Sequence, residues 1–177
     1  LLEDSFSTVP AGLDAEHARL TPILTKRLHE AGDSLWQIEV NGRALFLLHC
    51  GKQAEFNETV LKKRLLDILT ALVKHKIQSA TIVLPQLADR SADWQLTQMI
   101  LLAEENSYLF SDYKTQKKDK QHLKKLDFYL PSSTQKTLSK ATMIAEGIQL
   151  ARRLADMPAN YCTPSFLGEE AKKLANL

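Results

Sequence analysis

The chain has 177 residues, 44% of them hydrophobic and 25% charged, a globular balance that excludes wholesale disorder. Its formal net charge is only +2, so nucleic-acid or membrane contact would have to come from a local cluster rather than from the overall field. No apolar stretch reaches the roughly 18 residues of a membrane span, and the first residues lack the basic start and apolar run of a signal peptide.

The length suits one ordinary domain plus the start of another, and a core of that size needs neither metal nor disulfide. The two cysteines, Cys50 and Cys162, lie far apart and outside any CxxC pattern. They read as two thiols in a reducing, intracellular setting, one of them buried at a strand end.

The elements follow one another in a simple order. Asp14 to Ala31 reads as a helix with Leu20, Ile23, Leu24 and Leu28 on one side. Pro22 marks a kink or its true start, and Gly32 closes it. Leu35 to Val40 and Ala44 to Cys50 read as two strands around Asn41-Gly42. That dipeptide tolerates positive φ at both central positions and suits a type I′ hairpin.

Asn57 caps a helix to about Lys76, with Leu61, Leu65, Ile68 and Leu72 as its apolar stripe, widened by Leu69 and Val73. Ser79 to Leu84, ended by Pro85, is apolar on consecutive positions. It reads as a strand covered on both faces, and the strand–helix–strand order predicts a right-handed crossover into it.

Ser91 caps a helix to about Phe110 with Leu96, Met99, Ile100 and Ala103 buried. A lysine-rich loop follows, then a strand from Leu126 to Leu130, stopped by Pro131. Ser132 and Gln135 have capping-box spacing and start a long helix to Asp156, which Pro158 ends. Thr163-Pro164 is a compact start for a last helix that is still running at Leu177. The opening at Leu1 rather than methionine and this unfinished end predict a piece of a longer chain.

Catalytic chemistry finds no constellation. His17, His29, His49, His75 and His122 fall in no metal-ligand spacing. His49 stands beside Cys50, but one pair cannot supply three or four ligands. There is no GxSxG, GxGxxG or phosphate-loop pattern, and the six glycines are scattered. Glu104-Glu105 and Glu169-Glu170 are adjacent on helices, so they diverge and read as solvated faces rather than acid/base pairs.

The run Lys114 to Lys125 carries six lysines against one aspartate. It could contact phosphates. The simpler reading is a solvated guard beside an edge strand, since it lacks interleaved stacking aromatics.

Two stretches carry a resemblance: Ala103 to Leu130 (AEENSYLFSDYKTQKKDKQHLKKLDFYL) and Ile144 to Leu177 (IAEGIQLARRLADMPANYCTPSFLGEEAKKLANL). Together they resemble the leucyl aminopeptidase, or cytosol aminopeptidase, family. A tyrosine- and lysine-rich segment closes that family's N-terminal domain, and a linking helix leads on to the catalytic one. The linker pattern falls on Glu146-Gly147, Leu150-Ala151-Arg152, Leu154, Pro158, Asn160, Thr163-Pro164, Leu167 and Ala171. Asp156 stands where the family has asparagine.

The resemblance implies an α/β fold, a mixed sheet sandwiched between helices and similar to macro domains, followed by the linking helix. It divides the chain into an accessory domain, residues 1–131, and a linking helix with the start of the catalytic domain, residues 132–177. It implies a cytoplasmic hexamer that removes N-terminal residues, often leucine, from peptides. Two divalent metals, zinc or manganese, would lie in a catalytic domain held by lysine, aspartate and glutamate ligands.

The family's ligand motif, NTDAEGRL, is absent from this chain. The expectation is therefore no catalytic, cofactor-binding or metal-binding residue here, and no peptidase turnover by these residues alone. Peptide substrates would bind elsewhere, Asn160, Thr163 and Pro164 would shape the entry to the catalytic domain, and no membrane is involved. Two binding readings stand beside this one: a macro-like cleft for ADP-ribose, which lacks a glycine-rich phosphate loop, and nucleic acid on Lys114 to Lys125.

Overall fold

The structure, a computed structural model, describes residues 35–40, 43–108, 110, 123–130 and 134–175. The expected helix from Asp14 to Ala31 and the Asn41-Gly42 turn lie outside the described residues, as does most of the lysine run. Strands β1 (Leu35–Val40) and β2 (Arg43–Leu48) pair antiparallel, with Val40 opposite Arg43 and Leu35 opposite Leu48. A two-residue connection is what this register requires.

Helix α1 (Glu58–Lys74) starts as expected at Asn57, whose side chain accepts a hydrogen bond from the Val60 amide at 3.1 Å. Its stripe buries Leu61, Leu65, Leu69 and Leu72. The helix ends two residues early because the chain turns into a Schellman motif. The Ile77 amide donates to the Leu72 carbonyl and the Lys76 amide to the Val73 carbonyl. Lys76 takes the left-handed position with φ 55°.

Strand β3 (Ser79–Val83) is followed by helix α2 (Ala92–Ser107), capped by Ser91, and by strand β4 (Lys125–Tyr129). β3 and β4 pair in parallel, Ser79 opposite Lys125 and Val83 opposite Tyr129. The crossover therefore spans α2. The expected one, through α1, does not form a continuous sheet among the described residues, because β1–β2 and β3–β4 are separate pairs.

The inner face of β3–β4 carries Ala80, Ile82, Leu126 and Phe128, and these pack with α1 and with Met99 of α2. The other face differs from expectation. Thr81 and Val83 are exposed, as are Asp127 and Tyr129 across from them. Polar Thr81 and Asp127 fall at paired outward positions, which an apolar cover would leave unsatisfied.

Helix α3 (Gln135–Asp156) begins at Thr134 rather than Ser132: the Thr134 hydroxyl accepts from the Thr137 amide at 3.2 Å. It lies along α2, burying Ala141 against Ala92, Leu96, Ile100 and Leu130. The Thr134 amide donates to Asp93 near the start of α2, while Tyr108, just after α2, bonds Asp156 at the end of α3. The two helices thus run in the same direction. Met157, extended before Pro158, ends α3 as the proline demands. Helix α4 (Pro164–Ala175) follows a tight turn.

The fold is mixed α/β, with one antiparallel and one parallel strand pair and helices over them. Among the described residues no helix is long and apolar enough to cross a membrane.

Candidate functional site

The described histidines make ring contacts. His75, at the end of α1, meets Phe46 of β2 edge-on at 5.3 Å, and His49 lies 6.5 Å from Trp36. Those contacts tie the β1–β2 hairpin to α1 and to itself. His17, His29 and His122 lie outside the described residues. Among the described residues no three of His, Cys, Asp and Glu stand close enough to hold a metal ion. Cys50 is buried just past β2, its thiol directed at the Leu48 carbonyl at 3.7 Å, and Cys162 is half-buried. From the lysine run, Lys124 and Lys125 give their amides to the Gln78 carbonyl, and the Lys125 ammonium meets Asp127 at 2.9 Å.

The polar chemistry concentrates along α3. Three contacts join it to the end of α2: Gln149 donates to Glu104, Arg152 pairs with Glu105 at 2.7 Å, and the Tyr108 hydroxyl donates to Asp156 at 2.9 Å. The Arg152 guanidinium also lies over the Tyr108 ring at 6.0 Å. Glu104, half-buried, and Glu105, exposed as expected, are thus both interhelical partners. Asp156 supplies the acceptor for Tyr108.

Glu170 is not on a solvated face. Only 8% exposed, it accepts from Lys173 at 2.6 Å and from Arg153 of α3 at 3.5 Å. The Lys173 hydrogen bond, with both nearby cations, holds its carboxyl below the usual glutamate range against the opposing cost of desolvation. Its neighbour Glu169 is exposed. The signal that could have revealed this is Arg152-Arg153 in the last turn of a long helix, where cations suit the dipole and adjacent positions diverge by about 100°.

The turn between α3 and α4 is built as its residues dictate. The Tyr161 and Cys162 amides donate to the Pro158 carbonyl at 2.9 and 3.0 Å. Asn160 is exposed in that turn. The Thr163 hydroxyl caps α4 through the Phe166 amide at 3.3 Å, and Pro164 is its first residue. Helix α4 turns Glu170 inward, yet leaves Leu167 and Leu174 exposed at 43% and 52%. Ala171 shares that exposed face, one turn from each. Outward apolar residues continue on α3 at Met143, Ile144 and Ile148.

A half-open groove of 270 Å³ lies between α1, α2 and α3, lined by Leu101, Leu102 and Ile148 together with Lys62, Glu105 and Arg152. Its charges are paired within the protein: Lys62 with Glu58, Arg152 with Glu105.

A parallel β–α–β unit preceded by a hairpin and followed by a long polar-seamed helix defines a mixed α/β fold. Solved structures share the fold. A point mutant of tomato leucine aminopeptidase matches 93% of this chain and 34% of its own at a TM-score of 0.66 and 23% identity. The bottromycin maturation enzyme BotP, in complex with Mn, matches 96% of this chain and 34% of its own at 0.67 and 15% identity.

Residues 37–117 match the N-terminal domain of the cytosol aminopeptidase family. A probable cytosol aminopeptidase of Legionella pneumophila (strain Corby) is 41% identical over 163 residues, covering 92% of this chain and 34% of the relative. Another, from Burkholderia lata, is 32% identical over 182 residues, covering 93% of this chain and 36% of that relative. The chain belongs to the cytosol aminopeptidase family and carries its N-terminal domain. It spans about a third of the length of the curated relatives it matches.

Proposed function

We propose that this chain is the non-catalytic N-terminal part of a metal-dependent leucyl aminopeptidase, and that its work is support. The 41% identity to a probable cytosol aminopeptidase across 92% of the chain carries the reading. Residues 1–131 form the accessory domain. Residues 132–177 form the linking helix and the start of the catalytic domain. The open apolar face of Leu167, Ala171 and Leu174 supports that division, since such a face on a helix wants a covering partner. The remainder of the longer protein supplies the cover.

In this reading the reaction belongs to residues outside this chain. Two divalent ions would activate a water and polarise the scissile carbonyl there. Residues Gln135 to Asp156 set where the accessory domain sits, Asn160, Thr163 and Pro164 shape the way in, and the assembly is a cytoplasmic hexamer.

A chromogenic leucine amide tests the proposal. The chain purified alone, with Mn²⁺ or Zn²⁺, is expected to release no product. The same chain continued into the catalytic part of a cytosol aminopeptidase relative is expected to turn over. Metal-stimulated hydrolysis by the chain alone would overturn the non-catalytic role. A fused protein that folds but stays inactive would overturn the supporting one.

A further inference from the structure

Helix α3 ends in two adjacent arginines that grip different partners. Arg152 reaches back to α2, pairing with Glu105 and lying over Tyr108, and Asp156 one turn on accepts from the same tyrosine. Arg153 points the other way and meets Glu170 of α4, which Lys173 also holds. Elsewhere the backbones of α3 and α4 approach at few points, and Leu167 and Leu174 of α4 face outward. Half-buried Phe166, one turn before Glu170, shares its inward side of α4, and beside it the buried carboxylate is the group that reaches Arg153 of α3.

We propose that Arg152-Arg153 makes the last turn of α3 a positioning clamp. One arginine fastens the helix to the domain. The other fastens α4 to the helix through Glu170. The direction in which α4 leaves the domain is then set by charge pairs across one dipeptide. This deepens the supporting role proposed above: the clamp aims the Leu167–Leu174 face at whatever covers it.

The energetic scale is modest. Arg153 and Lys173 are 46% and 69% exposed, and pairs of that kind shift populations by roughly two- to five-fold. A short turn needs no more, because the linked groups are already near each other. Both cations face water, so the clamp weakens as salt screens it.

Nitroxide distance measurements on the chain itself test this. Labels go at Lys140→Cys on α3 and Lys172→Cys on α4, with Cys50→Ala and Cys162→Ser removing the native thiols. The expected parent result is one dominant distance at low salt. Arg153→Gln or Glu170→Gln should raise the population away from it two- to five-fold, and molar salt should do likewise. Exchanging the charges throughout, Arg153→Glu and Lys173→Glu with Glu170→Arg, should restore the parent distribution. Circular dichroism confirms that each variant is folded. A distribution unchanged by either single substitution would overturn the clamp, as would a failure of the exchanged charges to restore it in a folded protein. Since no activity is read, either result leaves the aminopeptidase assay to judge the supporting role separately.

Discussion

Gln95 is a fully buried polar residue on α2, and replacing it should be costly. Its carbonyl oxygen accepts from the Leu87 amide and its amide nitrogen donates to the Pro85 carbonyl, each at 2.8 Å. The side chain thus closes the turn that leads from β3 into α2. Gln95→Leu keeps the volume and removes both bonds, leaving the buried Leu87 amide and the half-buried Pro85 carbonyl without partners. Each such group costs about 1–3 kcal/mol. The expected loss is about 2–4 kcal/mol, a large part of the stability of a domain this size. Urea unfolding followed by tryptophan fluorescence reads it, with Trp94 beside the site. Gln95→Glu adds a diagnostic: its acid form can serve both partners and its anion cannot. Burial raises that carboxyl above its unfolded value, so the variant is stabilised at low pH. It loses stability as pH rises from about 4.3 through the raised value. A Gln95→Leu protein within about 0.5 kcal/mol of the parent would refute the reasoning, because the two bonds would then be replaced at no cost.

Two further outcomes follow from local geometry. Lys76→Gly should stabilise the chain by about 0.5–1 kcal/mol in the same unfolding assay, since a side chain at φ 55° carries a penalty that glycine avoids. Acid should loosen α4. A depressed carboxyl such as Glu170, faced by Lys173 and Arg153, stabilises the fold fully above about pH 4.3 and loses that contribution as pH falls through its lower native value. Protection factors of residues 166–175, corrected for intrinsic exchange, should fall roughly two- to five-fold over that window, and in Glu170→Gln they should be reduced by that amount at every pH.

What was legible in the sequence is what local chemistry dictates. Asn57, Ser91 and Thr163 announce helix starts because a short side-chain oxygen satisfies an orphan amide wherever it stands. The leucine stripe of α1 predicts its own burial for the same local reason. Pairing of strands is a different matter. β3 and β4 are both apolar runs bounded by proline, and nothing in either says which neighbour it will take. The polar seam was illegible too. Glu104 and Glu105 look like a solvent face until α3 is laid beside α2, because their partners Gln149 and Arg152 lie more than forty residues on. Glu170 looks solvated by the same logic, and only the return of α4 toward Arg153 brings it inside. The candidate site was legible as punctuation, in Thr163-Pro164 and Pro158, and as a family pattern. Its side-chain traffic was not.

The parallel pairing of β3 with β4 also bears on how the chain folds. The hairpin β1–β2 and helix α1 join near neighbours and can form within microseconds. β3 has no such partner at hand: β4 follows only after the whole of α2 and the lysine run. Until Tyr129 has left the ribosome, Ile82 and the leucine stripe of α1 have no Leu126 and Phe128 to close over them. Closing so long a loop sets the pace for topologies of this kind. During synthesis the half-finished core would stay open for the seconds it takes to make those residues, with its apolar face in water until the native strand arrives.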